Sequence, residues 1–158
     1  MSALHRIAGT CVAMNTQEEL AGVLIRGPSG SGKSDLALRL IDRGAWLIAD
    51  DQVVVAHVEG RAVAGAPSTI RGLMEVRGIG IVSVPAVESA PLALVVELAS
   101  GASVPRLPEP DFVEIAAVRL PRLVLKPFES STPAKIRLAV QALRAGVKEG
   151  VTFPFAWQ

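Results

Sequence analysis

Short apolar runs broken by polar or glycine-rich steps dominate this chain, and most of them have the length of a strand. Thr10-Cys11-Val12-Ala13-Met14 reads as a first strand, Asn15 to Glu19 as a polar turn, and Leu20 to Ile25 as the returning strand. Trp46-Leu47-Ile48-Ala49 is a short apolar strand that runs into Asp50-Asp51. Val53-Val54-Val55 and Arg61-Ala62-Val63-Ala64 flank Glu59-Gly60, which predicts a hairpin and puts His57 on an outer strand at the surface. Thr69 to Glu75 is expected to be a short helical segment, and Arg77 to Val84 a strand punctuated by glycines. Leu92 to Leu98 is a further core strand. A proline-containing loop over Ser100 to Asp111 then leads to late strands at Val113 to Leu120 and Leu123 to Leu125.

Helical periodicity is confined to two places. In the first, Leu36, Leu40 and Ile41 fall on one face while Asp35, Arg39 and Asp42 turn to water, and Gly44 stops the helix. The second runs from Ala134 to Leu143, with Thr132 as its N-cap, Pro133 at the first helical position and Gly146 beyond its end. Strands outnumber helices and do not alternate with them. The pattern therefore predicts an α/β chain with a mixed, strand-rich sheet, few helices and antiparallel hairpins, not a doubly wound sheet. No repeat divides the sequence, and 158 residues suit a single domain over 1–158.

Composition adds mainly exclusions. Half of the residues are apolar and a fifth charged, as in a globular domain. With 16 basic and 15 acidic residues the net charge is +1, which leaves no electrostatic footprint for nucleic acid. Cys11 is the sole cysteine, so no internal disulfide can form, as befits a reducing compartment. Within its apolar run it reads as a small buried hydrophobe. No secretory signal is visible and none is expected, and no apolar run approaches the ~18–20 residues that span a bilayer. A cytoplasmic protein with neither membrane nor nucleic-acid partner is the expectation.

The chemistry begins at Gly27-Pro28-Ser29-Gly30-Ser31-Gly32-Lys33-Ser34, a full match to the phosphate-binding pattern G-x-x-x-x-G-K-[S/T], set between a predicted strand and a predicted helix. Its glycines let consecutive N–H groups point at phosphate oxygens, and the helix N-terminus adds its own donors and positive dipole. Lys33 would reach the β- and γ-phosphates, and the Ser34 hydroxyl would ligate Mg²⁺. Asp50 and Asp51 end an apolar strand. A carboxylate at that end of a mononucleotide fold can hold the metal or take a proton from an attacking hydroxyl. Adjacent strand residues point to opposite faces, so the two differ in task; a turn cap is the alternative meaning. Glu75 and Arg77, two apart on an extended segment, pair a metal ligand with a charge-neutralising group, or form an ordinary surface pair. No guanine-reading Asn-Lys-x-Asp motif is present.

Three blocks, Gly27 to Asp35, Leu47 to Asp51, and Gly72-Leu73-Met74-Glu75-Val76-Arg77-Gly78-Ile79-Gly80-Ile81-Val82, occur in one order and together resemble the bacterial HPr kinase/phosphorylase family in its short, catalytic-domain form. The third resembles that family's signature. The resemblance implies a fold like the nucleotide domain of phosphoenolpyruvate carboxykinase. It also implies a kinase that uses ATP and Mg²⁺ to phosphorylate a serine of the phosphocarrier protein HPr. In reverse, phosphate would attack phosphoserine to give pyrophosphate, and the assembly would be a homo-oligomer, hexameric in the family's full-length forms. Carried over by position, Lys33 is the phosphate-binding lysine and Ser34 a metal ligand. Asp51 is the base that takes the serine proton, with Asp50 beside it in support. Glu75 is the second metal ligand, and Arg77 belongs to the signature. Ala8 stands where the family has a histidine. Lys126-Pro127-Phe128-Glu129 replaces a late loop that carries an arginine, for which Lys126 and Arg122 are substitutes. A small-molecule kinase and a nucleotide-sensing module without turnover are the competing functions.

Overall fold

The computed structural model describes residues 3–99 and 104–145. Eleven strands and two helices follow in order: β1 (Leu4–Ala8), β2 (Thr10–Asn15), β3 (Leu20–Arg26), α1 (Lys33–Asp42), β4 (Trp46–Ala49), β5 (Gln52–Val58), β6 (Arg61–Gly65), β7 (Leu73–Val76), β8 (Gly80–Ser83), β9 (Ser89–Leu98), β10 (Phe112–Ile115), β11 (Val118–Leu125) and α2 (Thr132–Ala145). The main sheet runs β1-β5-β6-β9-β3-β2-β4, and β7 and β8 form a separate hairpin. Strand β9 is shared. It pairs antiparallel with β6 through its first residues, parallel with β3 from Leu92 to Glu97, and parallel with β11 from Val95 to Leu98. The expected mixed, strand-rich sheet is what forms.

Alternation along β3 shows why the central strands are apolar throughout. Val23 and Ile25 face a core made with Leu36, Leu40, Ile136 and Val140 of the two helices. Leu24 faces the opposite core with Val53, Val55 and Val95. A strand covered on both faces must be apolar at successive positions. Leu36 is completely buried between helix and sheet. Leu36→Ala should therefore cost about 3 kcal/mol, the middle of the range for a buried leucine. In a chain of this size that lowers Tm by about 6–12 °C in a thermal melt.

Helix α1 ends as its sequence predicts. Gly44, at φ 107°, bonds its N–H to Ile41 O at 3.0 Å, and Ala45 N–H reaches Leu40 O at 3.1 Å. These two bonds satisfy the last carbonyls through a left-handed residue.

Several expectations are corrected. Strand β1 precedes the predicted first strand; its residues are mostly exposed, so apolar periodicity does not mark it. Thr69 to Glu75 is not a helix. A 3-10 turn covers Ser68–Ile70 only, and Leu73–Val76 pairs with β8. The two late strands are instead β10 and β11, divided at Ala116-Ala117, with Leu123 to Leu125 continuous with the second. His57 lies on an interior strand between β1 and β6, half-buried, with Nδ1 2.8 Å from Ala116 O. Thr132 does not cap α2. Its hydroxyl donates backward to Lys126 O at 2.6 Å. Gly146 and the Ser100 to Ser103 part of the predicted loop lie outside the described residues.

Candidate active site

The loop over residues 27–32 joins the end of β3 to the start of α1. A turn closes it, Ser31 N–H to Pro28 O at 3.0 Å, and the first helical bond runs from Leu36 N–H to Gly32 O at 2.9 Å. Gly32 sits at φ 98°, and a Cβ there would stand 2.8 Å from the Phe128 ring, so both its backbone and its surroundings exclude a side chain. Lys33 Nζ donates to Gly27 O at 2.8 Å and Pro28 O at 3.1 Å, which sets the ammonium across the loop. The Ser31 hydroxyl is buried without a hydrogen-bond partner, the sole such side-chain atom among the described residues. An unsatisfied donor inside a loop of this shape suits a phosphate oxygen.

One carboxylate ties the distant blocks together. Asp50 Oδ1 accepts from Ser34 Oγ at 2.6 Å and from Thr10 Oγ1 at 3.1 Å, and Oδ2 accepts from Glu75 N–H at 3.3 Å. Asp50 is 8% exposed, so all three donors act in a largely dry setting. Thr10 is a functional neighbour that the sequence reading did not single out; its only sign was a polar residue heading an apolar strand. Thr10→Val should destabilise the protein by about 1–3 kcal/mol in urea unfolding, because a buried carboxylate loses a donor.

Asp51 points elsewhere. It is exposed, at φ 70°, and sits at the centre of a γ-turn in which Gln52 N–H donates to Asp50 O at 2.8 Å. Its own carbonyl accepts from Gly9 N–H at 3.0 Å. A β-bulge in the β2–β4 ladder between Cys11 and Val12 lies just upstream, a common device for re-aiming a side chain. The two aspartates thus differ in surroundings as expected, although a turn rather than strand alternation separates them. Ala8 ends β1 opposite Gln52, beside this same turn.

Arg77 is placed differently from the expectation. Strand β7 ends at Val76, and Ile79 N–H bonds Val76 O at 3.0 Å, so Arg77 belongs to an exposed hairpin turn and does not share a strand face with Glu75. Arg122 is committed to acidic partners: Nη1 lies 2.5 Å from Asp111 Oδ2 and Nε 3.7 Å from Glu97 Oε1. Arg26, the last residue before the loop, also bonds Glu97 Oε1. Lys126 instead lines a cavity of about 570 Å³ with loop residues 28–31. Cys11 is completely buried, and desolvation pushes its thiol far above the ordinary range, which removes it as a nucleophile.

Serine, aspartate and glutamate supply only oxygen donors, the chemistry of Mg²⁺. Among the described residues no group of three or more His, Cys, Asp or Glu forms a metal cage.

Comparison with known proteins places this geometry in a family. The profile of the HPr Serine kinase C-terminal domain matches residues 3–103. An HPr kinase/phosphorylase of Clostridium tetani is 50% identical over 64 residues, which is 40% of this chain and 21% of that protein. One from Caldicellulosiruptor bescii is 40% identical over 116 residues, 66% of this chain and 37% of that protein. These matches span well under half of either relative. The solved HPr(Ser) kinase/phosphatase of Coxiella burnetii superposes with a TM-score of 0.73 at 26% identity, covering 86% of this chain and 88% of that one.

Proposed function

The chain belongs to the HPr Serine kinase C-terminal domain family, and from that membership and the site's geometry we propose that it is an ATP- and Mg²⁺-dependent kinase for a serine of an HPr-type phosphocarrier. The observation that carries the reading is the convergence on Asp50. Ser34 of the phosphate loop and the Glu75 amide of the signature hairpin bond one carboxylate, with Asp51 exposed next to it.

The chain's residues divide the work. The backbone N–H groups of Ser29, Gly30 and residues 32–34, the Ser31 hydroxyl and Lys33 hold the triphosphate. Ser34 and Glu75 would hold Mg²⁺, which would supply neutralisation of phosphate charge. Asp50 orients Ser34 through its 2.6 Å bond. The acceptor serine oxygen forms a bond to the γ-phosphorus as the bond to the β,γ-bridging oxygen breaks. Its proton passes to the Asp51 carboxylate, and ADP leaves. Arg77, exposed in the hairpin turn after Val76, is assigned to offset charge on the transferring group or its protein acceptor.

In the reverse direction Asp51 would return the proton as phosphate attacks phosphoserine. Ala8 puts no imidazole beside the Asp51 turn, so forward transfer is expected to be the faster direction. The reading also implies a cytoplasmic setting and, by family resemblance, a homo-oligomer with a hexamer as the expected form. Among the described residues no helix is long and apolar enough to cross a membrane.

The test is incubation with γ-labelled ATP and HPr from the same organism, run forward with ATP and in reverse with phosphate. Label on the carrier's serine supports the reading. No label, with nucleotide binding confirmed by calorimetry, overturns it in favour of a sensing module. ADP release on a metabolite without a protein acceptor would point to a small-molecule kinase.

A further inference from the structure

The phosphate loop accounts for the triphosphate but not for the rest of a nucleotide. Beside it lies the cavity of about 570 Å³, bounded by residues 28–31 on one side, Leu98 and Ala99 below, and residues 126–129 opposite. Its volume falls within the range of small-molecule sites. A second cavity, about 310 Å³, opens at the proline-containing loop and touches no phosphate-loop residue.

The far wall is built to hold its shape. Arg39 of α1 donates through Nη2 to Pro127 O and through Nη1 to Glu129 O at 3.4 Å, and its Nε is fixed by Asp35 at 3.0 Å. Thr132 Oγ1 holds Lys126 O at 2.6 Å. Three carbonyls of one four-residue turn are thereby anchored to two helices. The turn presents Phe128, whose ring lies against Gly32 yet remains 68% exposed. An aromatic ring pinned by its backbone, open to solvent and facing a cavity has a free π-face for a planar partner. Glu129, at the same rim, is held as a carboxylate by Lys135 Nζ 2.9 Å away, and its acidity is raised by that partner. A carboxylate there is an acceptor for a ribose hydroxyl.

We infer that this cavity receives the nucleoside of a nucleoside triphosphate, with the Phe128 ring as the stacking face for the base and Glu129 toward the ribose. The inference rests on the nucleotide reading above and adds to it the residues that separate a nucleotide from a bare polyphosphate.

Titration calorimetry of the whole chain with MgATP and with Mg-tripolyphosphate tests it, using wild type, Phe128→Ala and Phe128→Trp. Phe128→Ala should weaken ATP about tenfold, the scale of one aromatic–base stack, and leave tripolyphosphate within about twofold. Phe128→Trp should restore ATP affinity, and ATP but not tripolyphosphate should quench its added indole fluorescence. Unchanged ATP affinity in Phe128→Ala would overturn the inference, as would equal weakening of both ligands, which marks a residue that only shapes the loop. Failure of Phe128→Trp to rescue counts against it as well. If wild type binds tripolyphosphate as tightly as ATP, the nucleoside site is wrong while the phosphate site stands. If it binds neither, the nucleotide reading falls with it.

Discussion

Asp51→Asn is expected to slow phosphoryl transfer to the carrier serine by about 10²–10⁴-fold, the usual worth of a positioned base, with ATP affinity within about twofold of wild type. The substitution isolates the proposed proton acceptor. Asp51 holds φ 70°, a region that Asn enters as readily as Asp, so the γ-turn keeps its shape. The side chain is exposed, so a neutral amide there costs little in folding. Single-turnover transfer and calorimetry on the same preparation separate the two effects. A rate within about fivefold of wild type would remove Asp51 from the role of base. Asp51→Gly sharpens the experiment. Left-handed backbone at a non-glycine residue stores about 1–3 kcal/mol, so glycine should leave Tm unchanged or raised while transfer is lost. Such a pair of results would mark a residue kept for chemistry against the preference of its own backbone.

Lys33→Ala should lower transfer by about 10²–10³-fold and weaken ATP, because on the proposed reading it removes a mobile charge that the loop offers to the phosphates. The fold should survive. The ammonium's bonds go to Gly27 O and Pro28 O, within the loop itself, and the buried face of α1 begins at Leu36. Far-UV circular dichroism and a Tm within about 3 °C of wild type would check that, on the scale expected for a surface substitution. Lys33→Arg should rescue poorly, since a planar guanidinium does not replace a compact ammonium in a tight loop. Full activity in Lys33→Ala would mean that the phosphates lie elsewhere.

How much of this could be read from residues alone depends on range. Helix α1, its glycine stop and the loop before it are local devices, and pattern plus motif locate them. The mixed sheet follows from many short apolar runs with few helical ones. Strand β1 escaped because its exposed residues are paired on one side only, and an edge needs no apolar face. Met74-Glu75-Val76 escaped because four-residue strands carry too few positions to show a period. At the site, two adjacent aspartates announce different tasks, yet only the fold tells which turns inward. Thr10 and Asp50 stand 40 residues apart, and Arg39 reaches partners 88 and 90 residues away. No spacing rule covers such distances. Arg77 shows the opposite error: an even spacing suggested a shared face where a turn intervenes.

The parallel seam of β3 and β9 also governs when the site can exist. Arg26 and Glu97, which bond across that seam at the mouth of the loop, are 71 residues apart in sequence. Closing so long a segment before any contact rewards it is slow, and chains rich in such pairings fold late and cooperatively. The turn at 126–129 comes later still, anchored by Thr132 at the start of the final described helix. On the ribosome, then, the phosphate-binding motif emerges early as sequence but late as structure. A nascent chain stalled before α2 would expose the loop without its opposite wall, and should bind tripolyphosphate no worse than ATP.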